Sequence, residues 1–101
     1  MNLLLAVLQQ IKSILPADVA TWESAPLMCL AVKRLWIHAG NLAEAYRLES
    51  GLRKETEPWS ELVPYRNLLA HVFPGDVSST RVFTETHADI DRLIEVVQAA
   101  L

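Results

Sequence analysis

The sequence has little cysteine, little glycine and little basic charge. Cys29 is the one cysteine among 101 residues, so the chain cannot form a disulfide within itself, and its apolar neighbours favour a buried thiol. Only three glycines are present, and none forms a glycine-rich phosphate loop. The formal net charge of −3 argues against a nucleic-acid binder with a broadly basic surface. Any contact with RNA is therefore expected to be local.

Several familiar motifs are also missing from the sequence. There is no Cys/His metal cluster, no Ser-His-Asp arrangement and no alternating run of β-branched residues. The apolar run from Leu3 to Leu8 is too short to span a bilayer, and Gln9, Gln10 and Lys12 follow it. We therefore expect a cytoplasmic protein that needs no metal, no cofactor and no membrane.

Apolar residues make up 51% of the sequence, with many alanines and leucines. This composition favours helices, and the length suits one domain covering residues 1–101. The predicted fold is an all-α, up-and-down bundle of four to five helices. Because so small a bundle has difficulty hiding this much apolar surface, a homodimer is expected.

Helical spacing of apolar residues predicts where the helices lie. Pro16 should end the first helix, and the connection after it should be anchored to the core by Trp22. Ser24 is a candidate N-cap for the second helix, and Pro64 is placed at the first position of the third. The predicted helices cover residues 2–15, 25–49, 64–72 and about 78–100.

The same spacing predicts which faces are buried. Gly40, in the middle of the second helix, suggests close packing by another backbone, and Gly51 should terminate that helix. The predicted core stripe of the second helix is Leu27, Ala31, Leu35, Leu42 and Tyr46, and that of the last helix is Phe83, His87, Ile90, Leu93, Ile94, Val97 and Leu101.

The stretch from Tyr65 to His71 contains the strongest candidate site. Arg66, Asn67 and His71 share one short predicted helix, and an arginine, an amide and an imidazole suit a phosphodiester. A pair with this spacing also arises by chance, so an incidental arginine and a histidine at a helix end remain an alternative. His38 and His87 are interpreted as structural, since no second metal-type residue accompanies His38.

With its flanking residues, this stretch resembles a known family signature. The residues that carry it are Pro58-Trp59-x6-Arg66-Asn67-x3-His71-x-Phe73 and, upstream, Leu35-x4-Gly40-Asn41-x-Ala43. These residues resemble the signature of the HEPN superfamily, in particular its HepT-like branch of toxins, and the resemblance covers roughly residues 25–98.

This resemblance implies a helical bundle that dimerises, so that the Arg and His of both subunits line a shared cleft. In active members the cleft is a metal-independent endoribonuclease site. By position, Arg66 would bind the scissile phosphate, His71 would transfer protons, and Asn67 would hold the substrate or orient the site. The implied partner is an MNT-type nucleotidyltransferase antitoxin.

Two positions depart from the branch pattern. Phe73 replaces the tyrosine to which the antitoxin attaches AMP, which leaves Tyr65 as an alternative acceptor, although packing against the core is its expected role. Asn41 replaces a glutamate. A non-catalytic HEPN module that binds a nucleotidyltransferase or a nucleotide is therefore the alternative function, and a structural bundle with a chance motif is a third.

Overall fold

A computed structural model describes residues 1–51, 59–71 and 79–101, with only the backbone at residues 59, 60, 70, 71 and 79. All regular structure within these ranges is α-helical, which confirms the predicted all-α fold of four to five helices. No helix in this part of the chain is long and apolar enough to cross a membrane. The five helices are α1 (Asn2–Ile14), α2 (Val19–Glu23), α3 (Pro26–Ser50), α4 (Trp59–His71) and α5 (Ser79–Ala99).

The core lies where α1, α3 and α5 meet. Two contacts show that α5 runs antiparallel to α1: Lys12 pairs with Asp91 at 2.6 Å, and His87 Nε2 donates to the Pro16 carbonyl at 2.8 Å. α1 and α5 supply many of the buried side chains, and those from α5 include five residues of its predicted stripe together with Val82, which the prediction did not include. These include Leu4, Val7, Leu8 and Ile11 from α1 and Val82, Phe83, Ile90, Leu93 and Val97 from α5.

The connection after α1 contains a short helix. Asp18 caps this helix by accepting the Thr21 N–H at 2.8 Å, and Trp22 is fully buried, as predicted. The prediction that Ser24 caps α3 is wrong. Its hydroxyl donates back to the Thr21 carbonyl at 2.9 Å, so Ser24 ends α2, while Ala25 precedes α3 without a side-chain cap.

The predicted core stripe of α3 is only partly correct. Leu35, Leu42 and Tyr46 are half-buried, but Leu27 is 81% exposed and Ala31 is exposed as well. The buried stripe lies to one side of the predicted one and consists of Cys29, Val32, Trp36, Ala39, Gly40, Ala43 and Arg47. Because apolar residues cover much of this helix's circumference, spacing alone could not choose between the two faces.

The start of α4 was predicted wrongly. The helix begins at Trp59, and Pro64 lies inside it rather than at its first position. A proline there has no N–H for the bond to the preceding turn, but α4 packs most extensively against α3, and this packing outweighs one lost bond. The end predicted for this helix, at residue 72, lies outside the described residues.

The ends of α3 and α5 test three further predictions. Gly51 terminates α3 in the left-handed conformation, with φ of 69°, as predicted. His87, which the prediction placed in the core stripe of the last helix, is exposed, although its ring packs edge-on against that of Phe83 with centroids 4.6 Å apart. Leu101, predicted to be buried, is exposed because α5 ends at Ala99.

Candidate functional site

Arg66 lies where α4 packs tightly against Gly40 of α3. A Cβ built on Gly40 would lie 2.2 Å from the Arg66 Cβ and 2.9 Å from the Leu62 carbonyl oxygen. Real Cβ atoms do not approach so closely, so only glycine fits at this crossing. The predicted close approach at Gly40 is confirmed, and the approaching segment is the one that carries the candidate arginine.

Two amide side chains hold the Arg66 guanidinium. Its Nε donates to Asn67 Oδ1 at 3.0 Å, and its Nη1 donates to Asn41 Oδ1 at 3.0 Å. One acceptor is the next residue on α4, and the other is on α3, 25 positions earlier in the chain. Bonds from two helices fix the direction in which a long, flexible side chain points.

The charge of Arg66 is not neutralised by these partners. Both acceptors are neutral amides, and within the described ranges no carboxylate forms an ion pair with Arg66. Its Nη2 makes no hydrogen bond to the described residues. A fixed, half-buried guanidinium with a spare donor and an uncompensated charge is well suited to an anionic group such as a phosphate.

The structure gives Asn67 and Asn41 related roles. Asn67 was predicted to hold the substrate or orient the site, and its contact is with Arg66, so it orients the arginine. Asn41 was noted only as a departure from the HepT-like pattern, and its bond to Arg66 was not predicted. The sequence signal for this bond was that Asn41 is next to Gly40, where a close approach of two helices was expected. Which residue Asn41 meets there depends on how the two helices pack.

His71 is the last residue of α4, and its side chain lies outside the described residues, as do Pro58 and Phe73. Five positions along a helix correspond to about 7.5 Å of rise and roughly 140° of rotation, so Arg66 and His71 do not share a face of α4. Their convergence on one phosphate therefore remains a prediction.

Tyr65 packs against the core, as expected. Its ring meets that of Trp36 edge-on, with centroids 5.4 Å apart. The hydroxyl is buried and has no hydrogen-bond partner in the described part of the chain. Burial, followed by the negative charge of Glu85, raises the pKa of the phenol above its usual range. A modifying enzyme could reach this hydroxyl only after α4 moved.

Comparisons of the chain with models of protein families, with curated proteins and with solved structures found no match. Within the described residues, no group of three His, Cys, Asp or Glu side chains could hold a metal ion. The candidate site is therefore defined by its own geometry: an arginine that two amides position and that no carboxylate of the described residues neutralises.

Proposed function

We propose that this protein is a metal-independent endoribonuclease of the HEPN type, and the HepT-like toxin of a toxin–antitoxin pair. The observation that carries the proposal is the guanidinium of Arg66, which two neutral amides hold and with which no carboxylate of the described residues pairs. The resemblance of residues 58–73 to the HepT-like signature supplies the reaction. The proposed partners are a second copy of the chain, an RNA substrate and an MNT-type nucleotidyltransferase antitoxin.

In the proposed reaction, the ribose 2′-oxygen attacks the adjacent phosphorus, and the bond to the 5′-oxygen breaks. A base accepts the 2′-hydroxyl proton, and an acid donates a proton to the leaving 5′-oxygen. Arg66 stabilises the negative charge that develops on the phosphoryl oxygens. The products are a 2′,3′-cyclic phosphate and a 5′-hydroxyl, and neither proton transfer requires a metal ion.

One His71 cannot act as base and acid in the same step. A homodimer whose axis passes between two sites would bring two copies of His71 to one phosphate, one as base and one as acid. Light scattering on the purified protein tests this part of the proposal, which requires a mass of twice 11.3 kDa. A monomer that cleaves RNA would contradict the shared site.

The test of the ribonuclease is cleavage of a mixed RNA in EDTA. Arg66→Ala and His71→Ala should each reduce the rate by about a hundredfold or more, because each removes charge stabilisation or proton transfer. Arg34→Ala and His38→Ala are matched controls, since both residues are exposed on α3, and they should cleave like wild type. Equal rates in all five proteins, or loss of activity in EDTA, would contradict the proposal.

The alternative is a non-catalytic HEPN module that binds a nucleotidyltransferase partner or a nucleotide. The neutral Asn41 on Arg66 is compatible with it, because a positioned arginine can bind a phosphate without cleaving it. A folded protein that cleaves no RNA, but binds such a partner equally well with His71→Ala, would favour this function.

A further inference from the structure

A concave site separate from Arg66 lies between α4 and α5. It is a cleft of about 460 Å³, which is within the range of roughly 300–1,000 Å³ typical of small-molecule sites. Its apolar lining residues include Tyr65 and Leu68, which are half-buried, and Trp36, Leu62 and Leu93, which are buried beneath them. The size and the aromatic lining suit a small ligand with an apolar body.

Fixed contacts define the floor of this cleft. The Trp36 indole Nε1 donates to Thr86 Oγ1 at 3.0 Å, and the Thr86 hydroxyl donates to the Val82 carbonyl at 2.7 Å. The Tyr65 ring meets the Trp36 ring at 81°. Two aromatic side chains are therefore held in place before any ligand arrives, which lowers the entropic cost of binding.

The charged residues of the cleft are mostly acidic. Among the described residues, Glu61, Glu85 and Asp89 line it together with one guanidinium, that of Arg92, and these four have a net formal charge of −2. Arg92 is shared between Glu61 at 2.5 Å and Asp89 at 3.5 Å. Glu85 pairs at 2.7 Å with Arg81, which is exposed and does not line the cleft.

This charge selects the kind of ligand. One guanidinium divided between two carboxylates cannot neutralise both, and an exposed ion pair such as Arg81–Glu85 is weak. A phosphate would meet net repulsion here, whereas a cation would be attracted to the carboxylates and to the aromatic rings. The cleft therefore favours a cationic ligand, whereas the Arg66 site favours an anionic one.

We propose that the cleft between α4 and α5 binds a small organic cation, an amine or guanidine carried on an aromatic or short aliphatic body. The apolar body packs against Trp36 and Tyr65, and the cationic group lies beside Glu85 and Asp89. This inference uses none of the residues of the proposed ribonuclease site, so it stands or fails independently of that activity.

The test is an NMR titration of the full chain with three probes of similar shape: 2-phenylethylamine, 2-phenylethanol and 3-phenylpropanoate. The amine should shift the Trp36 indole N–H resonance in a saturable manner and bind about threefold or more tightly than the neutral alcohol, and the carboxylate should not bind. The Trp22 indole is an internal control, because it is fully buried and does not line the cleft.

Charge-removing variants assign the effect to the cleft. Glu85→Gln and Asp89→Asn should each weaken amine binding about threefold while the affinity for the alcohol stays unchanged. Glu95→Gln is the matched control, since Glu95 is exposed on the same helix outside the cleft, and it should bind like wild type.

Three results would overturn the proposal. They are the absence of a Trp36 shift at about 10 mM amine, equal affinity for all three probes, and a Glu95→Gln variant that binds the amine as weakly as Glu85→Gln and Asp89→Asn do. Circular dichroism on each variant confirms that it is folded before the titration is interpreted.

Discussion

Arg66 occupies the space that a side chain at position 40 would need. The contact at 2.2 Å would be made with the Arg66 Cβ, and Leu62 adds a backbone oxygen on the same side. Neither of these atoms is the far end of a flexible side chain, so neither can move away without moving α4. Gly40 thus fixes both the distance between two helices and the position of the candidate arginine.

Gly40→Ala should therefore destabilise the protein and displace Arg66. Alanine gains about 1 kcal/mol of helix propensity over glycine, but overpacking a close crossing costs about 1–3 kcal/mol. We expect a net loss in the free energy of unfolding by urea, together with a shift of the Arg66 Nε–H resonance. An unchanged resonance in a more stable protein would show that the crossing has room.

Gly51→Ala is the control for this variant. Gly51 has a positive φ, and a Cβ added there would contact no other atom of the described residues. Gly51→Ala should therefore cost only the backbone strain of the left-handed conformation, about 1–2 kcal/mol. The two substitutions should both lower stability. Only Gly40→Ala should move the Arg66 resonance.

The sequence predicted the helices better than their faces. A proline, a glycine and apolar spacing sufficed for the ends of α1 and α3 because these signals act within a few residues. The buried face of α3 was missed because Leu27 and Trp36 belong to two apolar faces of one helix, and the choice between them depends on which helices pack there. Pro64 was misplaced because packing against α3 tolerates a proline that local rules exclude.

The candidate site, like the helices, was predicted correctly only where its contacts are local in the sequence. Arg66 and Asn67 were singled out because they are adjacent in a recognisable motif, and their mutual hydrogen bond is local. The bond from Arg66 to Asn41 joins two helices, so it follows from tertiary packing that the spacing of residues does not encode.

Asn41→Asp should weaken the interaction of Arg66 with a phosphate. The substitution keeps the shape of the side chain but places a carboxylate on the guanidinium, and a partly exposed ion pair of about 1 kcal/mol corresponds to roughly a fivefold change. RNA cleavage or binding at low salt should fall by about this factor without loss of stability. Gln10→Glu, an exposed site on α1, adds the same charge and should have no effect.

Asp18 should make stability depend on pH in a defined window. Its hydrogen bonds to the Thr21 backbone lower the pKa of the Asp18 carboxyl below the ordinary value of 3.8. A lowered pKa in the folded state gives stability that is fully present above pH 3.8 and is lost as the pH falls through the folded value. Asp18→Ala should therefore lower the urea midpoint at pH 7, and its difference from wild type should shrink towards pH 3. A constant difference would exclude the charged cap as its source.

Two threonines on α5 make the same local bond in different surroundings. Thr86 and Thr84 each donate to the carbonyl four residues earlier, at 2.7 and 2.9 Å, but only Thr86 is buried and accepts the Trp36 indole N–H. Thr86→Val should cost about 1–3 kcal/mol, because it leaves that N–H without a partner inside the bundle. Thr84→Val should change the free energy of unfolding by no more than about 0.5 kcal/mol, since a hydroxyl on an exposed helix face competes with water. Urea unfolding of both variants measures the difference, and equal losses would place the cost in the helix itself rather than in the contact between α3 and α5.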